Sequence, residues 1–441
     1  MANDKPPVIV SYEHLSAMVN KALESQPDSI LEAPKKPVPS GYEAFESDEP
    51  PATDEEAAGL FENLTRALKM LEAEQRDSGV LAAPDDQFTS LLQSHLAEMS
   101  LQAGRVDAAP AGGLEAKFDE KDLLGWAKSL FTWVKKFRPH KWQIAPATPD
   151  PLPNSLRVAI LGDWGTGLYG APACAQSIEH DPKDYGLLLH LGDVYYSGTD
   201  SEVLDRFLNL WPKKANAINR ACNSNHEMYT GGYAYFDQTL KEFKQPASYF
   251  ALQNDHWLLV GLDSAYKEWE LVNDQVAWLK GLLATAGDRR VILFSHHQLF
   301  SWMEKPSSKL QSALGELLTN KKIYGWYWGH EHRCMIYDRH PLWNIYGRCV
   351  GHSGYPYFTD KNKAGTASAA DPKAQGAIWR TVGMKNMVPG GMILEGLNPY
   401  VKDHEKDYGP NGYMTLEFNG DRINEIVQMP DGSKAYEREI V

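Results

Sequence analysis

The spacing of apolar residues along the chain changes near residue 150. Before that point, apolar residues recur near helical spacing in four segments separated by Pro- and Ala-rich stretches typical of linkers. The predicted helices are Tyr12–Ser25, Asp54–Arg76, Asp85–Gln102 and Asp119–Phe137. After it, short apolar runs alternate with amphipathic segments. We therefore predict an N-terminal, mainly helical extension over residues 1–150 and an α/β domain over residues 151–441.

The apolar runs of the second region predict buried strands with helices between them. The predicted strands are Leu156–Leu161, Gly186–Leu191, Trp257–Leu262 and Arg290–Phe294. The predicted helices are Asp274–Leu283 and Lys309–Leu318. At the chain end, a hairpin is predicted from Tyr413–Phe418 and Arg422–Gln428 around an Asn-Gly-Asp turn. Open α/β sheets place their sites at the carboxyl ends of strands, so the polar residues that follow these strands are the candidates for chemistry.

Five short polar clusters occur in order between Gly162 and His332. They read Gly162-Asp163-Trp164-Gly165, Gly192-Asp193-Val194-Tyr195-Tyr196, Asn225-His226-Glu227, Ser295-His296-His297 and Gly329-His330-Glu331-His332. Carboxylate and carboxamide oxygens mixed with imidazole suit Mn, Fe or Zn, and two such ions can promote attack on phosphorus. Asp193 offers two oxygens and can bridge two cations. In an extended segment, His330 and His332 would point the same way, with Glu331 facing elsewhere.

Composition limits the function classes. The apolar share of 43% allows a substantial core, and the net charge of -14 argues against binding to a nucleic-acid backbone. The negative net charge does not exclude a small phosphorylated substrate, because the charge of bound metal ions dominates the electrostatic field at the site. Four cysteines in 441 residues do not suggest a disulfide scaffold. With no signal peptide and no run near ~20 apolar residues, we expect a cytoplasmic protein.

The ordered clusters resemble the motifs of the calcineurin-like metallophosphoesterases and, within them, the purple acid phosphatases. The resemblance covers about Leu156 to Tyr355 and implies a metallophosphoesterase-type β-sandwich flanked by helices, a four-layer α/β/β/α fold. The wider family has a histidine two residues after the first aspartate, where this chain has Gly165. Purple acid phosphatases also lack it and instead supply a tyrosine three residues after the bridging aspartate, here Tyr196. A phenolate stabilises Fe(III).

The resemblance implies two metal ions per chain, Fe(III) plus Fe, Mn or Zn. The first would take Asp163, Asp193, Tyr196 and His332. The second would take Asp193, Asn225, His296 and His330. His297 is the alternative to His296. Ser224 stands where the family usually has glycine, and we expect it to alter the turn that presents Asn225.

The implied activity is hydrolysis of phosphate esters, first of all monoesters, by a hydroxide bound at the di-metal centre. His226 is the expected catalytic residue, stabilising the phosphoryl group or protonating the leaving oxygen. His226, His297 and His352 are the candidate substrate contacts. A phosphodiesterase acting on cyclic nucleotides or phospholipid headgroups would use the same core. An interaction scaffold with a vestigial fold is the alternative of another class, and the filled ligand set counts against it. The N-terminal helices are expected to contact a protein partner or the catalytic domain.

Overall fold

The computed structural model describes most of the chain beyond residue 137. The described ranges are 138–357, 359, 366–369, 377–401 and 405–440, with isolated residues between 87 and 94 and two short strands near residues 106 and 115. The chain divides into two compact units, one of which holds Pro139–Met228 and Gly232–Val441.

Little of the predicted N-terminal extension lies within the described residues. Inside the predicted helix Asp85–Gln102, the described positions are helical: Gln87, Ser90, Leu91, Gln93 and Ser94. The other three predicted helices lie outside the described residues. The strands β1 (Val106–Asp107) and β2 (Glu115–Ala116) pair antiparallel.

The larger unit contains sixteen described strands. They are β3 (Asp150–Pro151), β4 (Ser155–Leu161), β5 (Leu187–His190), β6 (Ile218–Ala221), β7 (Phe250–Gln253), β8 (Trp257–Gly261), β9 (Arg290–Ser295), β10 (Ile323–Trp328), β11 (Cys334–Tyr337), β12 (Tyr346–Val350), β13 (Thr366–Ala369), β14 (Ile378–Val382), β15 (Gly391–Glu395), β16 (Tyr413–Asn419), β17 (Arg422–Gln428) and β18 (Lys434–Ile440). They form two sheets, one of six strands in the order β18-β17-β16-β4-β5-β6 and one of ten in the order β13-β14-β15-β11-β12-β10-β9-β8-β7-β3.

Helices lie between the strands. The described α-helices are α1 (Gly170–His180), α2 (Asn225–Met228), α3 (Leu240–Glu242), α4 (Gln275–Thr285) and α5 (Ser308–Thr319). Two further segments, Glu202–Leu208 and Tyr235–Thr239, are π-helical. Within the described part of the chain, no helix is both long and apolar enough to cross a bilayer.

The two sheets pack face to face, and helices cover their outer faces. Along β4, Val158 and Ile160 enter a core that Phe294 and Tyr327 of the larger sheet share. Ala159, between them, joins a separate core on the opposite face of the smaller sheet, where α1 packs. This alternation follows from the two-residue period of a strand, and it shows that both faces of β4 are covered. Leucines of α4 and α5 form a third core against the outer face of the larger sheet. The predicted four-layer α/β/β/α fold is confirmed.

The elements predicted between Leu156 and Gln428 agree with the structure to within about two residues at each end. The differences lie where the apolar signal is short or mixed. Strand β6 reads Ile-Asn-Arg-Ala, in which two of the four residues are polar. Its Arg220 is nonetheless buried and donates to Asp150 Oδ2 over 2.6 Å. The predicted hairpin gains a third strand, β18, on the far side of β17.

A buried ion pair joins the facing sheets. Arg348 of β12 places Nη2 2.7 Å from Oε2 of Glu425 on β17, and both side chains are almost completely buried. Tyr327 of β10 donates its hydroxyl to Glu425 Oε1 over 2.5 Å. A buried charge is tolerated only when it is paired and hydrogen-bonded, so loss of any one of Arg348, Glu425 and Tyr327 would destabilise the other two.

Candidate metal centre

The parallel strands place the five polar clusters at one end of the sandwich. Strands β4, β5 and β6 are parallel neighbours in the smaller sheet, as are β9 and β10 in the larger. Asp163, Asp193 and Asn225 follow the first three strands, and His296 and His330 follow the other two. Since the carboxyl ends of parallel strands meet at one edge, each sheet contributes its ligand candidates to the same region.

The aspartates reach this region through unusual backbone conformations. Asp163 and Asp193 have φ angles of 55° and 74°, in the left-handed region that few residues other than glycine adopt. A Cβ on Gly351 would lie 2.1 Å from Asp163 Oδ2, so only glycine leaves room for that carboxylate. Such conformations cost free energy and persist where the surrounding structure requires them, commonly at functional sites.

Oxygen and nitrogen donors converge around His296. Its Nε2 lies 2.9 Å from Asn225 Oδ1, 3.1 Å from His330 Nδ1 and 3.3 Å from Asp193 Oδ1. Its other ring nitrogen, Nδ1, is 2.9 Å from the carbonyl oxygen of Leu191 and donates to it. That bond fixes the tautomer and leaves the Nε2 lone pair directed at the cluster.

His332 extends the cluster on the side of the first aspartate. Its Nε2 lies 3.5 Å from Asp193 Oδ2 and 3.8 Å from Asp163 Oδ1. The predicted extended conformation of this segment is wrong, because His330 and His332 have φ angles of 67° and 48°, in the left-handed region. Glu331 does face elsewhere, as predicted, since Ser301 and Trp328 donate hydrogen bonds to its carboxylate.

The phenol at the cluster belongs to Tyr195 and not to Tyr196. Tyr195 places its hydroxyl 3.1 Å from Asp193 Oδ2 and 2.5 Å from His332 Nε2. Tyr196 is buried elsewhere, beside the charges of Arg206 and Glu202, and burial raises its pKa to about 12. The structure therefore corrects the predicted placement of Tyr196. Sequence spacing from Asp193 does not decide between two adjacent tyrosines, because the backbone after β5 is irregular.

Ser224 supports the turn that presents Asn225 and does not disturb it. Its hydroxyl donates to the carboxylate of Glu227, three residues further along α2. The same carboxylate accepts a hydrogen bond of 3.2 Å from the backbone nitrogen of Asp193. Burial, followed by the charge of Asp193, raises the pKa of Glu227 to about 8. Ser224 and Glu227 thus tie the Asn225 turn to the loop that carries Asp193.

The three predicted substrate contacts lie in different surroundings. His226 packs against Tyr195 with tilted rings whose centroids are 4.0 Å apart, and its Nδ1 donates to the Tyr196 carbonyl oxygen over 2.7 Å. His297 joins the cluster, since His296, His297 and His330 each offer a ring nitrogen within 4.8 Å of the other two. His352 is fully buried against Gly412, and neither ring nitrogen has a hydrogen-bond partner in the described structure. That placement does not support a substrate contact for His352.

Three residues outside the five polar clusters hold these rings. Ser264 Oγ lies 3.0 Å from His297 Nδ1. Trp269 packs on His297, and Tyr355 packs on His332, with ring centroids 4.2 Å and 4.3 Å apart. The Leu-Asp-Ser and Gly-Tyr segments that contain two of them follow strands β8 and β12, and that position is a signal that could have identified them.

The electrostatics of the cluster suit bound cations. Burial and then the charge of Asp193 raise the pKa of Asp163 well above its usual range. Although burial opposes its ionisation, the neighbouring His296 and His226 hold the pKa of Asp193 well below normal. Burial lowers the pKa of His296 to about 3, so the ring is neutral. Asp163 Oδ2 and Asp193 Oδ1 have no hydrogen-bond partner among the described residues. Unsatisfied buried oxygens beside neutral imidazoles fit a metal site.

Comparison with known proteins agrees with this geometry. The profile of the calcineurin-like phosphoesterase family matches residues 156–334. Tartrate-resistant acid phosphatase type 5 of Sus scrofa is 25% identical over 225 residues, which cover 42% of this chain and 65% of the relative's own length.

Three solved structures are partly similar to this chain. A purple acid phosphatase from yellow lupin (Lupinus luteus) has a TM-score of 0.45 and 16% identity, covering 68% of this chain and 55% of the other. The structure of PhoD has a TM-score of 0.44 and 10% identity, covering 68% and 73%. A dimetal phosphatase from Danio rerio has a TM-score of 0.40 and 9% identity, covering 65% and 98%. Residues 156–334 of this chain are therefore similar to the calcineurin-like phosphoesterases, and the motifs in that range converge at one edge of the sandwich.

Proposed function

We propose that the protein is a metal-dependent phosphatase that hydrolyses phosphomonoesters at a di-metal centre. The observation that carries this proposal is the convergence of the donors from both sheets at one edge. Asp163, Asp193, Asn225, His296, His330 and His332 all contribute to it.

The donor set fits two ions that share Asp193. Asp163, His332 and the hydroxyl of Tyr195 lie on one side of that carboxylate. Asn225, His296 and His330 lie on the other side. The phenol favours Fe(III) in the first position, while the imidazole and carboxamide donors suit divalent Fe, Mn or Zn in the second. Tyr195 replaces Tyr196 in this assignment.

When bound, two metal ions supply Lewis acidity toward phosphate oxygens and promote attack by water on phosphorus. The protein contributes orientation and proton transfer. Asp193 is held by its backbone bond to Glu227, and His296 is held by Leu191. His226 keeps a proton on Nδ1, because that atom donates to the carbonyl oxygen of Tyr196. When the ring is doubly protonated, Nε2 carries the proton that can pass to the leaving oxygen or be donated to the phosphoryl group.

The preference for monoesters rests on the curated relative, whose name describes an acid phosphatase. A diester would need room for a second substituent beside the metals. Relative rates on p-nitrophenyl phosphate and bis-p-nitrophenyl phosphate separate the two activities. A faster rate on the diester would show that the protein is a phosphodiesterase with the same metal centre.

Removal of single ligands tests the site itself. Asp193→Ala and Asn225→Ala are expected to lose bound metal, measured by elemental analysis, together with hydrolysis of p-nitrophenyl phosphate. Asp288→Ala, an exposed carboxylate outside the cluster, is the matched control and should keep both. Full activity in either ligand variant would contradict the proposal. A wild-type protein that binds no metal and hydrolyses neither ester would favour the interaction scaffold instead.

All four cysteines, Cys174, Cys222, Cys334 and Cys349, are buried free thiols. They support the proposed cytoplasmic location, because disulfides are rare where glutathione keeps thiols reduced. Contact of the predicted N-terminal helices with a protein partner or with the catalytic domain stays a prediction.

A further inference from the structure

We infer that His297 is an additional ligand of the second metal, giving that ion three imidazoles in place of two. This inference rests on the proposed di-metal function and concerns the composition of its second site. It also replaces the predicted role of His297 as a substrate contact.

The first argument is position. The rings of His296, His297 and His330 surround one point, with all three centroid separations between 4.8 Å and 5.0 Å. Each ring offers a nitrogen within 4.8 Å of the other two. Two nitrogens that bind one zinc ion, each about 2.1 Å from it, are at most about 4.2 Å apart. The bound of 4.8 Å on the observed separations is about 0.6 Å above that limit, so a small rotation of the rings would bring the three nitrogens to one ion.

The second argument is hydrogen bonding. His297 is completely buried, and its Nδ1 lies 3.0 Å from Ser264 Oγ. Its Nε2 has no hydrogen-bond partner among the described residues. An unsatisfied buried polar atom costs roughly 1–3 kcal/mol. Either neutral tautomer leaves Nε2 unsatisfied, and burial disfavours the charged ring. A metal ion satisfies Nε2 when the proton resides on Nδ1 and is donated to Ser264.

The third argument is that the His297 ring is oriented by a hydrogen bond of the kind that orients metal-binding histidines. A ligating histidine usually donates its other N–H to a protein group that fixes its orientation. His296 does this through Leu191, and Ser264 offers the same partner to His297. Trp269 packs on His297 and edge-on against His330, with ring centroids 4.2 Å and 5.0 Å away. A substrate contact would need no such match between two adjacent histidines.

A third imidazole has a chemical consequence. Nitrogen donors favour Zn²⁺ much more than Mn²⁺, which prefers oxygen. The second site should therefore select zinc, and removal of His297 should reduce that selectivity. A residue that only supports the fold would weaken the binding of both ions alike.

The test compares His297→Asn with His352→Asn, which removes another fully buried imidazole outside the cluster. Zinc and manganese affinities are measured by competition with a chromophoric chelator. His297→Asn is expected to weaken zinc binding about 100-fold and manganese binding much less, and Ser264→Ala to weaken zinc binding about 10-fold. His352→Asn should match the wild type. Unchanged zinc affinity in His297→Asn, or a raised KM with both metals retained, would overturn the assignment.

A measurement on the wild-type protein covers the case in which the variant fails to fold. In histidine-labelled protein, the His297 Nε2 resonance should shift on addition of zinc at the same equivalents as those of His296 and His330. A resonance that keeps its metal-free position overturns the inference. His296→Asn separates the two proposals, because loss of zinc there with no effect in His297→Asn leaves the di-metal function intact. A wild type that binds no metal removes both.

Discussion

Replacement of Tyr195 by phenylalanine tests which tyrosine binds the metal: Tyr195, as the structure indicates, or Tyr196, as the family spacing implies. The Tyr195 hydroxyl lies 3.1 Å from Asp193 Oδ2 and 2.5 Å from His332 Nε2. In the metal-free protein, Tyr195→Phe removes both contacts. A hydrogen bond to a charged group contributes about 1.5–3 kcal/mol and a neutral one about 1 kcal/mol. We therefore expect Tyr195→Phe to lower the free energy of unfolding by about 2–4 kcal/mol.

Tyr196→Phe is the matched control, because it removes the neighbouring hydroxyl from a ring beside Arg206 and Glu202. Its expected cost is at most about 1 kcal/mol, since no ionised carboxylate of the cluster loses a donor. Urea unfolding of the two metal-free variants measures this difference. The iron-loaded proteins give a second measurement, because a phenolate bound to Fe(III) absorbs visible light.

The expected spectra differ between the variants. Tyr195→Phe should abolish the visible band, and Tyr196→Phe should retain it. The opposite pattern, with the band lost only in Tyr196→Phe, would show that the tyrosine three residues after Asp193 is the ligand and would refute our reading of this loop. A wild-type protein with no band would instead indicate a Mn, Zn or Fe(II) site.

Three further predictions concern other parts of the molecule. Arg348→Met should lower the free energy of unfolding by about 3–5 kcal/mol, because it leaves the buried Glu425 carboxylate unpaired; an equal loss from the exposed Arg422→Met in urea unfolding would contradict this. Burial lowers the pKa of His352 to about 3. Below about pH 6.5 only the unfolded chain takes up a proton at this residue, so the free energy of unfolding decreases as the pH is lowered. At pH 5 that group accounts for a loss of about 2 kcal/mol relative to pH 7, and His352→Asn should show a correspondingly weaker pH dependence. His226→Asn should lower kcat about 10²–10⁴-fold with both metals retained, and metal loss on elemental analysis would show a structural role instead.

Six of the sixteen described strands of the larger unit could be predicted from the apolar pattern. Strands β4, β5, β8 and β9 are short continuous apolar runs because both faces of each strand are covered. Strand β6 could not be predicted in this way, since Asn219 and Arg220 interrupt the pattern. Arg220 is tolerated there because its guanidinium forms an ion pair with Asp150, which lies far away in sequence.

The candidate donors could also be identified before the fold was known. Each follows a strand, and parallel strands bring their carboxyl ends to one edge, so order along the chain becomes proximity in space. Side-chain direction could not be identified in the same way. Tyr195 and Tyr196 are adjacent and chemically identical, and His296 and His297 pose the same question.

The sequence by itself determined the α/β class of the domain, the edge at which the polar clusters meet and the chemical types of donor gathered there. These depend on local periodicity and on residue type, both of which are present in a single chain. Only the tertiary structure decided that Tyr195 faces Asp193, that His297 joins His296 and His330, and that His352 is enclosed. Those outcomes depend on left-handed backbone conformations and on packing partners such as Ser264, Trp269 and Gly412, which lie far away in sequence.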